Sequence, residues 1–363
     1  MSDSLPPLRV DGRLERVRIA TAEAGAEAIV VTNLTNIRWC TGFTGSFGAL
    51  VVSADEAVLI TDSRYATQAP AQIEEGGADV AVHVDSAVVA NGAAVLQAVP
   101  RVALEADDIS WADQQRWAEA VQGELVATHS LITELRSVKD IAELVRMQRA
   151  AEIVDQTLAD VAGLLVVGTT ERQLAAALDD GMRARGASGP AYETIVAGGP
   201  NAALPHARPG DRAFVEGDLV VIDAGSVVDA YRSDMTRTFM VGAPDDTAIK
   251  IHEIVTRAQA AGVAAVRPGI EVGQIDAVCR DLITEEGYGP EFGHGTGHGV
   301  GLDIHELPAV RGGNTAILQP GQVITVEPGI YLPGVGGVRV EDMVVVTDDG
   351  CRPLTRSPKI SLK

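Results

Sequence analysis

The chain is 363 residues long and carries a formal net charge of −21, with 46% hydrophobic, 22% charged and only 4% aromatic residues. That length accommodates two domains, each with a core of its own. The acidic balance and the scarcity of aromatics argue against a nucleic-acid or anionic-membrane partner, which needs clustered Lys and Arg or a base-stacking platform.

The cysteines Cys40, Cys279 and Cys351 are widely spaced and form no C-x-x-C pair. Neither a disulfide framework nor a thiolate zinc site is expected. The N-terminal stretch lacks an apolar signal core, and no later apolar run approaches membrane-spanning length, so the expected setting is the cytoplasm.

In chain order, residues 12–27 have the spacing of an amphipathic helix with Leu14, Val17 and Ile19 facing inward. Strands are expected at Ala28–Val31 and from Ala49, Ala57, Ala81 and Val102, with a helix over residues 111–121. This alternation predicts a compact α/β domain over residues 1–129. Within it, the Gly- and Thr-rich residues 39–49 read as an exposed loop, either a plain strand connection or an arm that reaches a binding site. From residue 130 the pattern changes. A long helix is expected over residues 134–161, with Ile141, Leu144, Val145, Ala151, Val154, Leu158 and Val161 at helical spacing and a capping box formed by Ser137 and Asp140. A second helix follows Thr170 as N-cap, and two more span residues 247–266 and 272–286. Long helices interleaved with hairpins make residues 130–363 an α+β domain rather than a doubly wound one.

Three segments of this second domain, residues 218–240, 292–307 and 322–343, place acids or histidines in stretches that otherwise read as buried sheet. Burying an unpaired carboxylate costs several kcal/mol or more, so a positive partner is required. If the first hairpin turns between Val228 and Asp229, Asp223 lies opposite Asp234, with Cβ atoms about 5 Å apart. If the other turns on Gly334, Glu327 lies opposite Glu341. Between them His294, His298 and His305 share one glycine-rich loop, which lacks the G-x-G-x-x-G spacing and the Lys of a phosphate cradle. Four carboxylates with one or two imidazoles form a hard, oxygen-rich set that favours Mn²⁺ or Co²⁺ and admits Zn²⁺ or Fe²⁺. Four acids exceed the needs of one ion, so a pair of ions about 3.5–4 Å apart is expected. The structural alternative is that the acids pair with Arg232, Arg237 and Arg339. His83, His129 and His252 have no supporting neighbours and read as ordinary surface or core residues.

These residues resemble the pita-bread metallopeptidases, specifically the proline-directed branch of aminopeptidase P and prolidase. The resemblance runs over nearly the whole chain and rests on LPHARP at 204–209, VIDAGSVVDAYRSDMTRTF at 221–239, FGHGTGHGVGLDIHE at 292–306, VEPGIY at 326–331 and VRVED at 338–342. It implies a creatinase-type α/β domain followed by an α+β pita-bread catalytic domain. It assigns two divalent metal ions, Mn²⁺ first with Co²⁺ or Zn²⁺ as alternatives, to Asp223, Asp234, His298, Glu327 and Glu341. Spacing had left the metal-binding histidine open; the resemblance selects His298. His206, His294 and His305 are left facing the substrate, with a ligand-orienting role for His294 as the alternative. Glu327 is implied to carry the water proton to the leaving nitrogen. Arg339 is expected to partner a ligand carboxylate because it shares a strand face with Glu341, and both it and Tyr331 are expected on the substrate side; a core position is the alternative for Tyr331.

The implied activity is hydrolysis of the bond preceding a proline in second position. An aminopeptidase P-like enzyme is the first choice, because TGFTGS at 41–46 and ITDSRY at 60–65 look like the small bacterial members of that group. A strict Xaa-Pro dipeptidase is the alternative, and a metal-free creatinase-like hydrolase or a non-catalytic binding module is more remote. Members of the family are commonly homodimers in which the N-terminal domain borders the partner's active site, and residues 39–48 are the candidate contact here.

Overall fold

The computed structural model describes residues 5–243 and 245–359. The chain divides into two compact units, Met1–Arg136 and Ser137–Lys363.

In the first unit, helices α1 (Arg13–Glu23), α2 (Leu34–Thr41), α3 (Gln68–Gly76), α4 (Val88–Val95) and α5 (Trp111–Ala120) surround strands β1 (Ala28–Val31), β2 (Ala49–Ser53), β3 (Ala57–Thr61), β4 (Ala81–Val84), β5 (Arg101–Glu105) and β6 (Glu124–Thr128). The sheet order is β4-β3-β2-β1-β5-β6. Pairs β1–β5, β5–β6 and β3–β4 are parallel, and β1–β2 and β2–β3 antiparallel. Every residue of β1 is buried, as a continuous apolar run covered on both faces requires. Two expectations fail in this unit. Ile19 is 53% exposed; the inward face of α1 is Leu14, Val17 and Thr21, which keep the i, i+3, i+7 spacing that Ile19 breaks. Residues 39–49 are not a uniformly exposed loop. The Asn33 side chain accepts hydrogen bonds from Thr35 N and Asn36 N and starts α2, and Trp39, Cys40 and Phe43 are buried.

Helix α6 (Leu131–Ser137) leads to the second unit, which holds α7 (Ile141–Val161), α8 (Glu171–Ala184), α9 (Asp246–Ala265) and α10 (Val272–Glu285). Its strands are β7 (Ile195–Gly198), β8 (Leu219–Asp223), β9 (Val227–Val228), β10 (Tyr231–Arg232), β11 (Thr236–Met240), β12 (Gly297–Gly299), β13 (Glu306–Val310), β14 (Val323–Val326), β15 (Gly329–Leu332), β16 (Gly336–Arg339), β17 (Asp342–Val346) and β18 (Cys351–Pro353). They form sheets β11-β8-β7 and β13-β12-β14-β17-β18 and the ribbons β10-β9 and β15-β16, with antiparallel pairing throughout these ladders.

The helix expected over residues 134–161 is broken. Val138 pairs with Gln322 as an isolated bridge. Asp140 then caps Glu143 N while the Glu143 side chain caps Asp140 N, so the capping box belongs to Asp140 and Glu143 rather than to Ser137 and Asp140. Ile141 falls in the first turn and is 81% exposed, and Val145 is exposed too; the buried face runs through Met147, Ala150, Ala151, Val154 and Leu158.

Helices α9 and α10 bury Ile251, Ile254, Val255 and Ala258, and Val272, Ile275, Cys279 and Ile283, at helical spacing. These side chains share one cluster with Val326, Ile330, Val338 and Val344. Each fully buried Ile or Val contributes roughly 1.5–3 kcal/mol, so this packing fixes the strands that flank Glu327 and Glu341.

Candidate active site

The first acidic ribbon pairs Asp223 with Thr236 and, at its tip, Val228 with Tyr231. Asp229 and Ala230 have φ of 46° and 67°, the two left-handed positions that a two-residue type I′ turn demands. The turn is therefore centred one residue later than expected, and Asp223 does not face Asp234. Moving the partner by two residues preserves the side-chain face, so the two acids remain diagonal neighbours. They meet at Tyr192, whose hydroxyl lies 2.5 Å from Asp223 Oδ1 and 2.5 Å from Asp234 Oδ1. A phenol has one hydrogen and donates to one carboxylate at a time. Burial, reinforced by repulsion from both acids, holds its pKa well above the usual range and keeps that hydrogen in place.

The second ribbon turns as expected. Val326 pairs with Asp342 before the gap and Gly329 with Arg339 after it. Both ladders keep the register centred on Gly334, which has φ of 79°. Glu327 and Glu341 occupy the gap between the ladders and oppose each other in that register.

His298 lies on β12, where the backbones crowd. A Cβ on Gly297 would come within 2.1 Å of Thr325 O, and one on Gly299 within 2.2 Å of Leu307 O, so only glycine fits on either side of the imidazole. His298 Nδ1 is 2.9 Å from Gly299 O, which assigns the ring proton to Nδ1 and leaves Nε2 as the free electron pair. Nε2 is 3.4 Å from both Asp234 Oδ2 and Glu327 Oε1. Burial pushes the His298 pKa down to about 4, and the neutral ring is the form that binds a cation.

A cavity of about 540 Å³ opens onto this group, and its lining includes Asp223, Asp234, His298, Glu327 and Glu341 together with Tyr192, His206, His294, His305 and Arg339. The His305 ring sits edge-on to His298 with centroids 4.4 Å apart. His294 places Nε2 2.9 Å from the Tyr331 hydroxyl, and burial pushes its pKa to about 4. Tyr331 is buried behind the wall, bonded to His294 and to Arg339 Nη1 at 2.9 Å, and is absent from the cavity lining. It braces wall residues rather than facing the substrate space. Arg339 Nη2 is 2.7 Å from Asp223 Oδ2. His83, His129 and His252 do not line the cavity.

The arginine-pairing alternative accounts for one acid only. Arg237 bonds Asp342, and Arg232 is taken up by the carbonyls of Leu302 and Ala191. Asp234 and Glu341, both buried, and the partly buried Glu327 are left close together. Burial and then repulsion from neighbouring acids hold the pKa of all three well above the carboxylate range. Glu341 Oε2 accepts from Thr236 Oγ1 at 2.7 Å, but Glu341 Oε1 is buried with no hydrogen-bond partner. Asp234, His298 and Glu341 each present a ligand atom within 4.8 Å of the others. An orphaned carboxylate oxygen, a lone-pair nitrogen and three carboxyl groups whose ionisation is opposed by burial and mutual repulsion are what a divalent cation would satisfy. The residues fit the metal.

Tyr192, Thr236 and Arg311 also belong to this neighbourhood and were not singled out from the sequence. Tyr192 precedes Asp223 and Asp234 by 31 and 42 positions, and no local pattern marks it. Thr236 was discoverable once the register was right, because it is the true partner of Asp223.

A buried carboxylate cluster completed by one neutral imidazole, open to a cavity of this size, defines a metal-dependent hydrolase. The chain belongs to Metallopeptidase family M24, which matches residues 145–348, and the Creatinase/Prolidase N-terminal domain matches residues 13–138. The chain is 38% identical to the uncharacterized peptidase YqhT of Bacillus subtilis, over 96% of this chain and 98% of that one. Its structure resembles the Xaa-Pro dipeptidase from Bacillus anthracis with a TM-score of 0.93 and 36% identity, covering 97% of this chain and 99% of the other. It also resembles the X-Pro aminopeptidase from Thermotoga maritima, with a TM-score of 0.85 and 34% identity over 94% and 99% of the two chains. The fold is thus a creatinase-type domain followed by a pita-bread catalytic domain, and the protein is a metallopeptidase.

Proposed function

We propose that the enzyme hydrolyses the peptide bond that precedes proline at the N-terminus of short peptides. The observation that carries this is the convergence of Asp223, Asp234, His298, Glu327 and Glu341 on one cavity whose walls present His206, His294 and His305; the proline preference is supported by the names of the two similar structures. The five converging residues would hold two divalent ions, with Mn²⁺ first and Co²⁺ or Zn²⁺ as alternatives for this oxygen-rich set. Bound there, the ions would supply Lewis acidity that lowers the pKa of water and offsets charge on the scissile carbonyl oxygen.

The chain's own groups do the rest. Glu327 takes the proton of the attacking water and passes it to the proline nitrogen, which as a tertiary amide carries no hydrogen of its own. Burial lowers the His305 pKa, so the ring is neutral and offers one N–H to the tetrahedral intermediate. His206 offers a second, and each donor contributes about 3 kcal/mol if it matches oxyanion-hole donors elsewhere. Tyr331 ties His294 to Arg339, and Arg339 neutralises Asp223.

Substrate length is the finer question. The sequence favours an aminopeptidase P-like enzyme, but Arg311 lines the cavity with no ion pair among the described residues. A free guanidinium there favours substrates that end in a carboxylate close to the proline, which is the dipeptide reading. We further propose a cytoplasmic homodimer; among the described residues no helix is long and apolar enough to cross a membrane.

The test is turnover of Xaa-Pro, Xaa-Pro-Yaa and Xaa-Ala with Mn²⁺, Co²⁺ or Zn²⁺ added back to chelator-treated protein. Metal-dependent cleavage of the proline substrates over Xaa-Ala is expected. Equal cleavage of Xaa-Ala, or none with any metal, overturns the proposal, and Arg311→Ala raising KM for Xaa-Pro more than for Xaa-Pro-Yaa separates the two length readings.

A further inference from the structure

Glu171 is the first residue of α8 and is 0% exposed. Charged carboxylates are seldom buried completely without a cation, because the desolvation must be offset by strong hydrogen bonds. Among the described residues no Lys, Arg or His forms an ion pair with it, and the Arg212 guanidinium, paired with Asp218, acts on it only at longer range; its hydrogen-bond partners are all N–H donors from one stretch of chain. Oε1 accepts from Gly198 N at 2.8 Å and Asn201 Nδ2 at 2.9 Å, and Oε2 accepts from Gly210 N at 2.9 Å. One oxygen therefore grips the start of the segment 198–210 and the other its end. The first turn of α8 adds two backbone bonds, from Glu171 N to Arg212 O and from Arg172 N to Gly210 O.

That segment carries Pro205, His206, Ala207 and Arg208 along the wall of the catalytic cavity. On the cavity side it is touched by Arg339, whose Nη1 donates to Pro205 O at 3.1 Å. The His206 imidazole has no side-chain hydrogen bond among the described residues. Its aim is therefore set by the backbone that carries it, and that backbone is tied down at both ends by one carboxylate.

We infer that Glu171 is a positioning residue for His206. It acts from behind the wall, as a double clamp on the ends of the segment that presents the imidazole. The inference rests on the proposed role of His206, but the clamp itself can be measured without turnover. Replacing Glu171 by Gln keeps the size and exchanges one acceptor oxygen for an NH₂ group, which meets a backbone N–H and can no longer hold both ends.

Two measurements test this on the full-length protein. In hydrogen–deuterium exchange, Glu171→Gln should raise exchange in residues 198–210 while that of β17 stays unchanged. Steady-state kinetics of wild type, Glu171→Gln, His206→Ala and the double variant give the coupling. Glu171→Gln should lower kcat about 10-fold or more with KM within about 2-fold, yet change kcat less than about 2-fold once His206 is absent, since neighbours acting through one group are non-additive. Glu171→Asp, which keeps both acceptor oxygens, should recover part of the loss. If Glu171→Gln does not fold, Asn201→Ala removes one of the three donors and is carried through the same cycle. Unchanged exchange in 198–210, or an equal loss of kcat with and without His206, overturns the inference. Should the wild type cleave no proline peptide, the functional reading falls while the exchange result still decides the clamp.

Discussion

The Lys139→Met substitution isolates a buried ion pair beside the active site. Lys139 Nζ is 2.8 Å from Glu306 Oε2, and each side chain is 1% exposed. Glu306 follows His305 directly, and its other oxygen accepts from Asp303 N at 3.0 Å, so the pair anchors the loop on which His305 sits. At an effective dielectric constant of 20, charges 2.8 Å apart attract by about 6 kcal/mol. Burying two ions costs several kcal/mol each, so the intact pair contributes close to nothing net. Removing one member is another matter, because the remaining charge keeps its desolvation cost and loses the attraction; the expected loss is about 3–5 kcal/mol. Lys139→Met with Glu306→Gln keeps an acceptor for Asp303 N, removes both charges and should restore stability to within about 1–2 kcal/mol of wild type. Trp39, Trp111 and Trp117 all belong to the first unit, so tryptophan fluorescence would report the wrong part of the chain. Urea unfolding followed by far-UV circular dichroism, with tyrosine emission as a second probe, is the appropriate assay. A single-variant loss below about 1 kcal/mol, or a double variant no more stable than the single, would refute the reasoning.

Two further outcomes follow from the same geometry. Thr236→Val is nearly isosteric, but it removes the donor to Glu341 Oε2 and the acceptor for Arg339 Nε; metal affinity by titration or kcat/KM should fall about 10–100-fold, and wild-type values of both would contradict the proposed role of Glu341. His252 is buried on α9, and burial lowers its pKa from the model-peptide value of 6.5. Below that pH the unfolded chain takes up a proton that the folded chain resists, so stability is full above 6.5 and is lost as pH falls toward the folded value. His252→Gln should therefore flatten the fall in melting temperature as pH drops below 6.5 by as much as one proton's worth of slope; an unchanged slope sinks the attribution.

What could be read from the sequence and what could not divides along a physical line. The second ribbon was legible because its turn announces itself. Leu332-Pro-Gly-Val-Gly-Gly contains the residue that must take positive φ, and Gly334 does so, so the register that opposes Glu327 and Glu341 followed from local chemistry. The first ribbon has no such marker. Its tip uses Asp229 and Ala230 in the left-handed region without glycine, and the turn was misplaced by one residue. The consequence for the site was small only because side chains alternate with period two. Likewise Ser137/Asp140 and Asp140/Glu143 are overlapping cap patterns. The bridge from Val138 to Gln322 and the Lys139–Glu306 pair select between them, and both are contacts across more than 160 positions.

The same division separates the acids from the groups that hold them. Each acidic pair sits on one hairpin, and turn geometry alone can bring its members together. Tyr192, Arg339 and Glu171 reach their partners from other elements: Tyr192 across 31 positions to Asp223, Arg339 across 116 to Asp223, and Glu171 across 39 to Gly210. No periodicity encodes such contacts, since they exist only after the sheets and helices have packed. Yet they decide the chemistry. Two hairpins without Arg339 would leave Asp223 unneutralised beside three acids already held above their normal pKa by burial and mutual repulsion. A His206 segment without Glu171 would lose the only side chain among the described residues that grips both of its ends. The grouping of the acids is thus a local property of the sequence, whereas their charge balance and the aim of His206 are properties of the packed fold, and substitution of Glu171 should cost kcat well before it costs any metal the acids would hold.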